Sequence, residues 1–190
     1  ELEDQIVIKD NEIRNIRGRA LRINNIGSGR CSNNTLKSNY TDYSNYQNIE
    51  SFYTPPSVVS LEDVGSGFTF ANNVIDSSYV IGLYGYRTAA TIDSNTITNH
   101  HSSSLINASM ENPTVPLIRY NNLTNNEYAG LRFKEWGSAV VNYNDIFSSS
   151  SNSNYYDIYN EVASTSVAEV DARFNYWGET TTAEMSEGGN

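Results

Sequence analysis

The chain has 190 residues, with 12 basic against 22 acidic side chains and a net charge of −10, which argues against nucleic acid and anionic membrane as partners. Charged residues make up 18%, below the ~25% of ordinary soluble domains. Asn, Ser, Thr and Tyr supply the polar surface instead, a composition common on proteins that meet carbohydrate, and no apolar run is long enough to insert in a bilayer.

In chain order, one phrase, apolar-x-x-Asn-x-apolar, occurs seven times. Its copies are Ile8–Asn11–Ile13, Cys31–Asn34–Leu36, Phe70–Asn73–Ile75, Ile92–Asn95–Ile97, Ile118–Asn121–Leu123, Val141–Asn144–Ile146 and Ala172–Asn175–Trp177. Successive Asn residues are 23, 39, 22, 26, 23 and 31 positions apart. A period near 22 to 23 with insertions marks a solenoid, whose coils cannot bury an apolar face alone.

The two apolar positions of the phrase are five apart, which in one straight strand puts them on opposite faces. A turn at the Asn brings both inward, and Asn tolerates the left-handed backbone of tight turns. Its amide can then bond the same amide one coil away, at the ~4.8 Å interstrand spacing. Asn11, Asn34, Asn73, Asn95, Asn121, Asn144 and Asn175 are therefore expected to form a ladder, with Asn125 in a turn outside it.

A second phrase follows most of these residues, a short alternating strand with one buried face. It reads Leu21-R-Ile23, Val59-S-Leu61, Ile81-G-Leu83, Ile106-N-Ala108, Leu131-R-Phe133 and Tyr156-D-Ile158. Three strands per coil follow, and with them an all-β fold: a parallel β-helix of about seven coils, in a single domain over residues 1–190.

These residues resemble the repeats of the right-handed parallel β-helix proteins of the pectin-lyase-like superfamily, over residues 6–178. The segment 171–185, DARFNYWGETTTAEM, is similar to the closing coil of many bacterial secreted β-helix proteins. The resemblance implies an extracellular or cell-surface protein, polysaccharide as partner, and a binding groove on the outer face of the alternating strands. The chain opens within a repeat and reads as a fragment or processed part of a larger protein.

Outward positions on that face read Arg22, Ser60, Glu62, Gly82, Tyr84, Asn107, Arg132, Lys134, Asp157 and Tyr159, with Tyr86, Arg87, Glu111, Glu135, Trp136 and Glu161 just beyond. Rings beside charged donors can stack on a sugar and hydrogen-bond its hydroxyls. Tyr84, Tyr86, Arg87, Asn107, Arg132, Lys134, Trp136 and Tyr159 are the carbohydrate-binding candidates.

Catalysis asks for more. A polysaccharide lyase needs a base and a cation for the developing enolate. Arg132 and Lys134 are the candidates, with Ca²⁺ as candidate cofactor on oxygens of Asn107, Glu111 and Glu135. The alternative for that seam is ion pairing of Arg132 and Lys134 with Glu111 and Glu135. A hydrolase could use Glu135 and Asp157, if ~6.5–9.5 Å apart. None of the superfamily's catalytic signatures is legible, so the expected role is binding or display against polysaccharide. Lyase or hydrolase is the alternative, and a structural spacer or filament subunit with end-to-end self-association is the second.

Elsewhere, Cys31 reads as a small core residue, and His100 and His101 as a solvated Ser-rich turn. Asn39-Y-Thr41 and Asn107-A-Ser109 are sequons that matter only in a glycosylating host. Two insertions, residues 37–56 and 148–156, are loops of the kind that carry binding surfaces.

Overall fold

A computed structural model describes residues 5–16, 18–38, 55–109, 114–135, 137–147, 156–162 and 169–179. The cores of both insertions, together with Arg17, Glu111 and Trp136, lie outside the described residues.

The strands run β1 (Ile6–Lys9), β2 (Glu12–Ile16), β3 (Leu21–Ser32), β4 (Thr35–Ser38), β5 (Ser57–Ala71) and β6 (Val74–Ser78). They continue with β7 (Ile81–Tyr86), β8 (Thr91–Asp93), β9 (Thr96–His100), β10 (Leu105–Ser109), β11 (Leu117–Arg119) and β12 (Asn122–Thr124). The last are β13 (Ala129–Glu135), β14 (Ala139–Asn142), β15 (Asp145–Phe147), β16 (Tyr156–Val162) and β17 (Val170–Asp171). Neighbouring coils pair in parallel throughout, for example β10 with β7 and β13, and β11 with β8 and β14. The architecture is a parallel β-solenoid.

Three faces run along it. The first carries the strands before each ladder Asn, the second those after it in the order β15-β12-β9-β6-β4-β2, and the third the alternating strands. β5 is long enough to serve both first and third faces. Its start pairs with β7 and its end with β8, so the sheet forks there.

The phrase works as its spacing implies. Its leading apolar residues stack on the first face as Ile8, Cys31, Phe70, Ile92, Ile118 and Val141. Its trailing ones stack on the second face, as in Ile13–Leu36–Ile75–Ile97 and Leu123–Ile146. The third face adds Leu21, Val59, Leu83, Leu105, Leu131 and Ile158. These columns form one continuous core.

All seven Asn residues form the ladder. In each rung the backbone N–H and side-chain amide donate to Oδ1 of the next Asn, at 2.9–3.1 Å. The solenoid nevertheless makes about five turns, not seven. Seven rungs bound six intervals, and the end coils lack strands. Asn175, for instance, is followed only by a bridge between Tyr176 and Asp145.

The left-handed residue is also not the ladder Asn but the one before it. Asp10, Asn33, Asn72, Ser94, Tyr120, Tyr143 and Phe174 have φ from 55° to 63°. The Asn itself keeps an ordinary backbone, which aims its amide along the axis. Two further corners repeat the device, at Asn15, Ser77, Asn99 and Asn125 and at Asn25, Asp63, Arg87 and Glu135, with φ between 47° and 61°. Asn125 is thus an exposed turn residue, as expected, but one whose backbone penalises Ala.

Candidate functional site

The outer surface of the third face carries two columns set by strand register. One reads Arg22–Ser60–Tyr84–Ile106–Arg132–Tyr159, the other Asn24–Glu62–Tyr86–Ala108–Lys134–Glu161. Asn107 is in neither. Leu105 aligns with Leu83 and Leu131, which turns Asn107 inward beside Gly85 and Phe133. The apolar pair Ile106 and Ala108 reads from sequence as core, yet it lies outside, and a slip of one residue exchanges every side chain between faces.

Asn107 is buried, donates from Nδ2 to the Ser138 carbonyl at 2.9 Å, and is not an outer-face donor. Its sequon is buried with it.

Tyr84 and Tyr86 do point outward, but they are only 2% and 7% exposed, in a small apolar cluster with Ile81, Ile106 and Ala108. Burial, with Tyr86 and Glu62 nearby, raises the Tyr84 hydroxyl pKa above its ordinary value. Glu62 is buried too, and accepts from Arg22 Nε at 3.0 Å and Arg19 at 3.4 Å. Arg87 is held by Asp63 at 2.6 Å and lies 4.9 Å from the Tyr86 ring. None of these rings offers an open face.

The open part lies one coil further on. Arg132 is bonded to Glu161 through both nitrogens, at 2.9 Å from Nε and 2.6–2.7 Å from Nη2. Its guanidinium sits 5.2 Å from the Tyr128 ring and 5.6 Å from the Tyr159 ring. Tyr159 stacks on Tyr156 at 4.8 Å, and Tyr128 meets both edge-on. Tyr156 is exposed, not the core residue its alternation implied. Lys134 lies beside Glu161 in register and has contacts of its own. The Arg132 partner is therefore Glu161, a full coil beyond Glu135.

The catalytic and calcium arrangements do not assemble among the described residues. Asn107 faces inward, and Glu135 sits on the third corner opposite Val162. Asp157 lies level with the stretch between Ala129 and Leu131, five positions from Glu135 along the strands, or roughly 16 Å at ~3.3 Å per residue. Their backbones are thus far apart for a pair whose carboxyl groups must stand ~6.5–9.5 Å from each other. No three His, Cys, Asp or Glu of the described residues converge as a metal group.

His100 is not in a solvated turn. It is buried at the second corner between Ser78 and Asn126, with Asn126 Oδ1 accepting from its backbone N–H at 3.0 Å. Burial lowers its pKa to about 4, from 6.5. His101 points away, stacking on Tyr79 at 4.0 Å and meeting Glu127 at 2.6 Å. Cys31 is core as expected, its thiol raised to about 12 by burial.

Above pH 6.5 His100 is neutral folded or unfolded and adds no slope. Between 6.5 and about 4 only the unfolded chain takes the proton, so stability falls by about 1.4 kcal/mol per pH unit of acidification from this residue. NMR titration of the assigned His100 imidazole should find it still neutral at pH 5. Titration of His100 near 6.5 would contradict the burial.

The sequence carries a further signal beside the ladder, in the residue that precedes each Asn. The left-handed residue before the Asn is Asp, Asn, Asn or Ser in the first four rungs but Tyr120, Tyr143 and Phe174 in the last three. These rings are 55%, 53% and 66% exposed. They stack in an offset strip, with centroids 5.4 and 5.6 Å apart and planes within 12°. A bulky residue in the left-handed region costs ~1 kcal/mol or more, against ~0.5–1.5 kcal/mol per ring pair. Three strained residues and two exposed stacks roughly cancel, so fold stability does not favour rings there over Asn.

No protein-family model, curated protein or solved structure matches this chain.

Proposed function

We propose that this chain is an extracellular or cell-surface β-helix module of pectin-lyase-like type that binds polysaccharide without cleaving it. The observation that carries the reading is the group of Tyr128, Tyr156 and Tyr159 about Arg132, at the open end of the outer face. Rings fixed on a rigid sheet can stack on a sugar at little entropic cost, and the guanidinium and Lys134 offer donors beside them. Trp136 follows on the chain, outside the described residues. Tyr84, Tyr86 and Asn107, being buried, are not contacts in this reading.

The lyase alternative is weakened by the same geometry. Arg132 is engaged by Glu161 through two nitrogens and is a poor base.

The test is affinity electrophoresis in gels containing single polysaccharides, with absorbance of unsaturated uronate followed in parallel. Retardation without product is expected, and Tyr159→Ala should weaken it by about three- to tenfold, the loss of one stacking contact. Absence of binding to every polymer, or unsaturated product that disappears in Lys134→Ala, would overturn the reading.

A further inference from the structure

The first corner presents the only rings in this fold that are exposed, aligned along the axis and strained, as far as the described residues go. Tyr120, Tyr143 and Phe174 occupy successive coils, stack on one another and are each more than half exposed. All three take a left-handed backbone that Asn, Asp or Ser accepts more readily, as the first four rungs demonstrate. Strain that mutual stacking only offsets, on rings left more than half exposed, points to use of the side chain. Their spacing of 5.4 and 5.6 Å is close to that between successive rings of an extended glycan.

The charges beside the strip are already neutralised. Arg119 lies 5.7 Å from the Tyr120 ring and bonds Asp93 at 2.7 Å. Arg173 lies 5.9 Å from the Phe174 ring and bonds both oxygens of Asp171 at 2.7–2.8 Å. With a net charge of −10 over the chain, a polyuronate meets repulsion and no uncompensated cation among these flanking residues.

We infer that the strip of Tyr120, Tyr143 and Phe174 is a second glycan-binding site, taking an extended neutral polysaccharide whose sugar faces stack on successive rings. It is separate from the Arg132 cluster, which lies on the third face, while the strip lies at the corner between the first and second.

The experiment runs wild type, Tyr143→Asn, Tyr143→Phe, Tyr120→Asn and Tyr159→Ala in gels containing hydroxyethyl cellulose, galactomannan, xylan, pectate or alginate. A thermal melt of each variant accompanies the gels. The strip predicts retardation of wild type by a neutral polymer and a loss of about tenfold in Tyr143→Asn. It also predicts retention in Tyr143→Phe, and a melting temperature little changed in Tyr120→Asn, which gives up one stack for one relieved strain. Retardation lost in Tyr159→Ala but untouched by Tyr143→Asn would overturn the strip and leave the outer-face reading standing. Tyr143-dependent binding of pectate or alginate alone would overturn the ligand class. A melting temperature well below wild type in Tyr120→Asn would make the strip a structural ladder, and no retardation of wild type by any polymer would remove both sites.

Discussion

Asn95→Ala is expected to destabilise the protein by about 3 kcal/mol, more than most single substitutions. Asn95 sits mid-ladder with four side-chain bonds. Its Oδ1 accepts from the backbone N–H and the amide of Asn73, at 2.9 and 3.1 Å. Its amide donates to the Phe70 carbonyl and to Asn121 Oδ1, both at 2.9 Å. Ala leaves two donors and a carbonyl unmet in a buried corner, and each orphaned group costs ~1–3 kcal/mol. The neighbouring rungs offer no substitute partner, because their oxygens are already used. The control is Asn122→Ala, an exposed strand residue with ordinary φ, expected to shift stability by less than ~0.5 kcal/mol. Asn125 is a poorer control, since its φ of 57° penalises Ala for a reason unrelated to the ladder. Chemical unfolding of the two variants decides the matter: equal midpoints would mean that the ladder carries no stability.

Gly82→Ala should be of comparable size, about 3 kcal/mol, through overpacking rather than lost bonds. A Cβ at Gly82 would meet Ile97 Cγ2 at 2.5 Å, the Ser104 carbonyl oxygen at 2.7 Å and His100 Nε2 at 2.9 Å. Two of the three belong to groups that cannot move away cheaply, a backbone carbonyl and a buried ring. The residue lies where the second face turns into the third, and only hydrogen fits between these coils. A melting temperature unchanged by Gly82→Ala would show that the coils can part at this corner. By contrast, a Cβ at Gly27 would meet nothing within 4 Å, so Gly27→Ala should have little effect.

The sequence by itself determined the solenoid, the ladder and two of the three core columns. These rest on repetition, and repetition in a chain whose coils stack forces equivalent residues into contact, whatever the details of the turns. Cys31 in the core followed from the same alignment. The number of turns did not, because rungs are boundaries, and end coils with missing strands still show their Asn.

The tertiary structure decided what an isolated coil leaves open. Ile106-N-Ala108 alternates equally well in either register, and only the alignment of Leu105 with Leu83 and Leu131 chose the one that buries Asn107. His100 looks like a turn residue beside Ser and His, and becomes a buried one because Ser78 and Asn126 stack above and below it. Tyr84 and Tyr86 alternate as surface residues and are covered. Arg132 found its carboxylate a coil away, at Glu161, where chain proximity favoured Glu135. Even the aromatic strip, spelled out as Tyr120-Asn121, Tyr143-Asn144 and Phe174-Asn175, acquires meaning only when the coils align those rings. A repeat encodes which residues stack, but each coil alone is indifferent to which of its polar and apolar side chains end up covered by its neighbours.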